Sequence, residues 1–150
     1  MNGSSKPVWS VLTAKAEQAL RHEQNKRDIA LSKKKDVLQR KDKIDTLLIE
    51  YSNRLTRVLE RSHSQEESRH YRQFIIHLHN LRDRTSEELE QHDGAYKIAQ
   101  KQVIVADEER LKLSRLDERV QNQERKEEQR RENKEFESQG LTQFNLNSRP

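Results

Sequence analysis

The chain has 150 residues, of which 30% are hydrophobic and 37% charged, too few apolar side chains for the thick core and enclosed pocket of a globular enzyme. With no cysteine it has no disulfide or thiol chemistry, and without an 18-residue apolar run or a long apolar N-terminal stretch neither a membrane span nor a secretory signal is expected. The net charge of +4 is concentrated locally: ten Lys/Arg against five Asp/Glu lie between Lys15 and Lys43, including Lys33-Lys34-Lys35, an arm that suits an acidic protein surface, a phosphate-rich polymer or an anionic membrane.

Residues 1–7 read as a disordered leader ending in Pro7. A first helix is expected over about 8–61. Its apolar residues Ile44, Leu48, Tyr51, Leu55 and Val58 alternate at spacings of four and three, which places them on one stripe of a coiled coil. Extended backward, the stripe passes through Lys41, Val37, Lys34, Ala30, Arg27, Glu23, Leu20, Ala16, Thr13 and Trp9. Half of those ten are apolar, so packing is expected to weaken toward the N-terminus. Trp9 reads most simply as the first knob of this seam.

The stripe breaks over 61–70, and a polar turn is expected at about 62–65. Ser64 followed by Glu67 has the spacing of a capping box, with Ser62 and Gln65 as a weaker duplicate. A second helix is expected over about 66–138. Counted forward in steps of three then four from Tyr71, its seam is Tyr71, Phe74, Leu78, Leu81, Thr85, Glu88, His92, Ala95, Ala99, Gln102, Ala106, Glu109, Leu113, Leu116 and Val120, ten of the fifteen apolar. Asp93-Gly94 is a possible turn, but the heptad phase continues across it, so one continuous helix is expected rather than a three-helix bundle. Two long helices joined by a short turn cover such stripes by folding back on each other. The fold class is therefore all-α, a long antiparallel two-helix coiled-coil hairpin with flexible termini.

From Gln121 to Glu135 no apolar residue occurs. Helical propensity and opposite charges one turn apart are expected to keep this stretch helical. It overhangs helix one by roughly 15 residues, or about 25 Å at 1.5 Å per residue. Gly140 is expected to end it, leaving residues 139–150 as a flexible tail.

Catalytic and ligand-binding signals are weak throughout. The three glycines are too scattered for a phosphate loop, and no zinc spacing exists. His77 and His79 point to different helix faces, while His70 and His77 lie two turns apart. No catalytic residue, metal or cofactor is assigned, and the chain is read as a non-enzyme. The aromatic residues Tyr51, Tyr71 and Phe74 are not interleaved with the basic arm, so nucleic acid is not the expected partner. Near the turn, Leu47, Ile49, Ile75 and Ile76 add to the seam residues more apolar surface than two helices can bury. Such a surplus rimmed by charge marks a partner site, a further packing element or a homodimer contact.

Four elements carry a family resemblance: Ile49-Glu50-Tyr51; Tyr71-Arg72-Gln73-Phe74-Ile75-Ile76-His77-Leu78; Glu109-Arg110-Leu111-Lys112-Leu113-Ser114-Arg115-Leu116-Asp117-Glu118-Arg119; and Glu128-Gln129 through Lys134-Glu135-Phe136. In this order they cover most of 8–138 and resemble the FliJ family of flagellar type III export proteins, and more distantly the YscO proteins of virulence secretion. The chain departs from the family in having Lys134-Glu135-Phe136 where Asp-Glu-Phe is common, and in lacking a tryptophan in the middle of helix two. Both export systems therefore stay open. The resemblance implies a hairpin similar to the central stalk of rotary ATPases, seated in a hexameric FliI-like export ATPase, contacting a FlhA-like export-gate protein and binding export chaperones. It implies a cytoplasmic location, peripheral at the inner membrane through partners. It maps gate binding onto Leu48, Tyr51, Leu55, Phe74, Leu78 and Leu81, near the turn. At the opposite end it points to Lys33, Lys34, Lys35, Arg125, Arg130 and Arg131 for the ATPase ring. The alternatives are a basic coiled-coil scaffold for nucleic acid or another protein, and a homodimeric spacer.

Overall fold

The computed structural model describes residues 5–148. It has two helices, α1 (Ser5–Leu59) and α2 (Gln65–Asn147), packed against each other as an all-α hairpin. No strand occurs among the described residues. The chain forms two compact units. One comprises α1 up to Arg21 with α2 from Val105 onward, and the other runs from His22 to Ile104.

The helix limits differ from expectation at three places. Residues 1–4 of the expected leader lie outside the described residues, but α1 already begins at Ser5. Pro7 is tolerated because it falls in the first turn, where its missing N–H has no intrahelical partner to lose. At the other end α2 passes through Gly140 to Asn147, so Gly140 does not end the helix. Its φ is negative and its flanks are ordinary helix formers; one glycine costs a helix about 1 kcal/mol, too little to stop it. Gly94 is likewise helical, and α2 is unbroken there.

The third difference is the turn, which spans 60–64 rather than 62–65. Ser64 Oγ accepts the Glu67 backbone N–H at 3.1 Å, as the cap predicts. The reciprocal half is replaced: Glu67 Oε1 accepts from Arg61 Nη2 at 2.5 Å, so its carboxylate ties the end of the turn to the start of α2.

On α1 all fifteen expected seam positions, from Trp9 to Val58, are buried or half-buried. On α2 ten of the fifteen match, Glu88 and Leu116 among them. Tyr71, Leu78, Thr85, His92, Ala99, Ala106, Leu113 and Val120 face inward, but Phe74, Leu81, Ala95, Gln102 and Glu109 are exposed. Ile75, Tyr96, Val103 and Arg110 turn inward in place of Phe74, Ala95, Gln102 and Glu109, and Leu89 is half-buried beside Glu88. The alternation from Tyr71 is thus four then three. A step of one residue rotates a side chain by about 100°, enough to carry five of the expected knobs, Phe74, Leu81, Ala95, Gln102 and Glu109, off the seam.

The unit spanning His22–Ile104 holds a core of Ile44, Leu48 and Leu78, with Leu47, Tyr51 and Ile75 packed against it. Three interhelical ion pairs flank it: Lys34–Asp93 and Arg82–Asp45 at 2.9 Å, and Arg40–Glu88 at 2.9 Å. Two buried hydroxyls are satisfied locally. Thr85 Oγ1 donates to the Leu81 carbonyl at 2.7 Å and Ser68 Oγ to the Gln65 carbonyl at 3.0 Å. In the other unit Ala16 and Leu20 are buried on α1. Among the described residues no helix is long and apolar enough to cross a membrane.

Candidate protein-interaction surfaces

Near the turn the two helices set an aromatic cluster on one flank of the seam. The Tyr51 ring lies 4.5 Å from that of Phe74 at an interplanar angle of 52°, and 6.2 Å from that of Tyr71 at 47°. These tilted arrangements bring ring edges toward ring faces. The Arg54 guanidinium stacks 4.9 Å from the Tyr51 ring centre and is held by Glu50 at 2.6 Å. The cluster is therefore apolar at its centre and charged at its rim. Phe74 keeps 38% of its surface in solvent and Leu81 40%.

The six residues expected at this end divide into two groups. Leu48 and Leu78 are buried in the interhelical core, so they position the surface rather than form it. Tyr51 and Leu55 are half-buried, and Phe74 and Leu81 are exposed. At 100° per residue Ile49 falls on the other flank of α1 from Leu47 and Tyr51. There it lines an open groove with Asp45, Ser52, Asn53, His79 and Arg82. Ile49 and Ile76 are more exposed than any of the six expected residues, at 65% and 60%. The sequence signal for both was their position outside the stripe. They belong with Phe74 and Leu81 as accessible apolar groups, although neither is among the expected gate-binding positions.

The residues expected at the ATPase ring fall in the two different units. In the unit His22–Ile104, Lys33 and Lys35 are exposed, but Lys34 is a seam residue. Its ammonium lies 2.9 Å from Asp93 and 5.2 Å from the centre of the Tyr96 ring. Lys97 meets the other oxygen of Asp93 at 3.0 Å. Hydrogen bonds from Lys34, and then from Lys97, hold the Asp93 carboxyl below its ordinary value. Lys34 is therefore engaged between the helices and not presented to a partner.

In the unit that includes α2 from Val105 onward, Arg125, Arg130 and Arg131 are exposed. Every residue from Arg125 to Ser148 is exposed, including Phe136, Leu141, Phe144 and Leu146. This stretch is helical as far as Asn147. Opposite-charge pairs do not hold it as expected: among the described residues no ion pair occurs beyond Arg110.

Compared with known proteins, the chain matches no family model, no curated protein and no solved structure.

Proposed function

We propose that the protein is a non-enzymatic central-stalk component of a bacterial type III export apparatus, of the flagellar FliJ kind. It would sit in a hexameric FliI-like ATPase, promote the assembly or activity of that ring, and couple it to a FlhA-like gate, with export chaperones as further partners. Its place is the cytoplasmic face of the inner membrane, reached through those partners. The observation that carries the reading is the Tyr51–Tyr71–Phe74 cluster. It is built from two of the sequence elements that carry the resemblance, and it leaves apolar surface accessible beside the turn. Within it, Tyr51, Leu55, Phe74 and Leu81 are the gate contacts, with Leu48 and Leu78 supporting them from the core. The hairpin architecture agrees with a stalk, and the YscO-type virulence stalk shares that geometry.

The reading is tested by adding the purified chain to its cognate export ATPase. Faster hydrolysis or more hexamer is expected; no change in either would sink the proposal. Tyr51→Ala with Phe74→Ala should weaken gate binding while helicity by circular dichroism is kept. A second reading, a basic coiled-coil scaffold, draws on the exposed Lys33 and Lys35. It predicts DNA binding that falls steeply with salt.

A further inference from the structure

Along α2, one line is cleared of negative charge. At about 3.6 residues per turn, Lys112, Arg115, Arg119, Lys126 and Arg130 fall within about 60° of arc. Eight carboxylates occur from Glu109 to Glu135, and none comes closer than about 60° to either edge of that arc. Glu108 and Glu137 stand on the same line and mark where it begins and ends. The line points about 130° away from Ala106, Leu113 and Val120, which turn toward α1. All five cations are exposed, and among the described residues none takes part in an ion pair. Leu111, exposed, and Leu116, half-buried, border the first half of the line. The nine basic and eight acidic residues of 109–135 nearly cancel. Net charge therefore gives this stretch little attraction to an anion, and the sorting of charges to different sides gives it one.

We infer that this line seats α2 on an anionic phospholipid surface. The inference goes beyond the proposed function, in which partners alone bring the chain to the membrane, and does not depend on it. From Lys112 to Arg130 the row runs about 27 Å at 1.5 Å per residue. A flat layer of lipid phosphates meets such a straight row along its whole length, and each Lys or Arg held near it strengthens binding. The carboxylates begin about 90° round the helix from the middle of the row, and most stand on its far side. A helix about 10–12 Å across exceeds the screening length of about 8 Å at physiological salt. The surface therefore attracts the near cations more than it repels those carboxylates. Leu111 and Leu116 flank the row, where the boundary of headgroups and acyl chains offers apolar contact. Duplex nucleic acid matches less well. Its phosphate strands wind around an axis, so a straight row meets them only at intervals, and no aromatic side chain lies within 109–135 for a base to stack on.

Co-sedimentation of the full chain with lipid vesicles tests the inference. Binding is expected to vesicles of phosphatidylcholine mixed with phosphatidylglycerol and not to phosphatidylcholine alone, and it should fall as salt is added. Arg115→Gln with Arg119→Gln removes two cations from the row and should cut the partition coefficient about tenfold or more. Lys126→Gln with Arg130→Gln repeats the test at the other end of the row. Arg125→Gln with Arg131→Gln removes equal charge off the row and should leave partitioning within about twofold. Glutamine is a good helix former and all six positions are exposed, so helix content by circular dichroism should stay level in each variant. Equal loss on and off the row would overturn the inference, because only net charge would then matter. So would no binding to the mixed vesicles, equal binding to phosphatidylcholine alone, or a preference for duplex DNA or polyglutamate over the mixed vesicles.

Discussion

Lys34 Nζ lies 2.9 Å from Asp93 Oδ1, so a charge that α1 places on the seam between two small or apolar positions, Ala30 and Val37, is answered from the flank of α2. The aliphatic stem of Lys34 contributes to packing while its ammonium leaves the seam toward Asp93 and the Tyr96 ring. A polar seam residue satisfied by a partner in this way favours two helices over a larger bundle, in which the ammonium would have no exit to solvent. The same pair sets a pH dependence. The Asp93 carboxyl is held low by the Lys34 hydrogen bond first and by Lys97 second. A carboxyl lowered on folding stabilises the fold above its unfolded value of about 3.8 and loses that contribution as pH falls through the folded value. Lys34→Ala should therefore lower the urea midpoint at neutral pH, and the gap to the unaltered chain should shrink in acid. A gap that stayed constant into strong acid would show that Lys34 acts through packing alone. The effect is small, because both side chains keep about a third of their surface in water.

Gly94 neighbours this pair, and the space around it is open. A Cβ added there meets nothing within 4 Å, and the residue has no positive φ. Gly94→Ala should therefore stabilise the hairpin by about 1 kcal/mol through helix propensity, read as a higher denaturation midpoint. Destabilisation would mean that α2 bends at Gly94 in solution.

The fold class was legible because the apolar spacing, the scarcity of breakers and the Ser64 cap all pointed to two helices. On α1 the seam was legible residue by residue, since Ile44, Leu48, Tyr51, Leu55 and Val58 admit one phase. On α2 two phases collect ten apolar residues out of fifteen each, so counting could not choose between them. The choice is made by packing across the helices, which turns Ile75, Tyr96 and Val103 inward and leaves Phe74 and Ala95 outside. Composition gave no warning that α2 would continue past Gly140, because a helix end needs a satisfying cap or an intolerable residue, and a lone glycine is neither. For the candidate site, the surplus beside the turn was visible, but which members are accessible depended on that phase. Thus Leu78 is core, and Phe74 is surface.

That division between Leu78 and Phe74 is measurable. Leu78 retains 3% of its surface in solvent, whereas Phe74 retains 38%. Leu78→Ala should cost about 3 kcal/mol, the transfer and cavity cost of a core leucine. Phe74→Ala should cost about 1 kcal/mol, since much of the ring is already wet. Chemical denaturation followed by circular dichroism compares them directly. Equal losses would place Phe74 in the seam and return α2 to the three-then-four phase.

The turn supplies a last test, because its two halves act through different partners. Ser64 Oγ satisfies the Glu67 N–H, one of the donors that the first turn of α2 cannot pair internally. Ser64→Ala should cost about 1 kcal/mol, the usual loss of a helix N-cap. Glu67→Gln keeps the backbone donor capped and removes the charge that holds Arg61. Both side chains of that pair are solvated, so this change should cost less than Ser64→Ala and its effect should fade in high salt. The loss from Ser64→Ala should persist in salt, because a neutral hydroxyl bonding an amide is not screened. Reversal of that salt dependence would mean that the carboxylate of Glu67, and not the hydroxyl, caps α2.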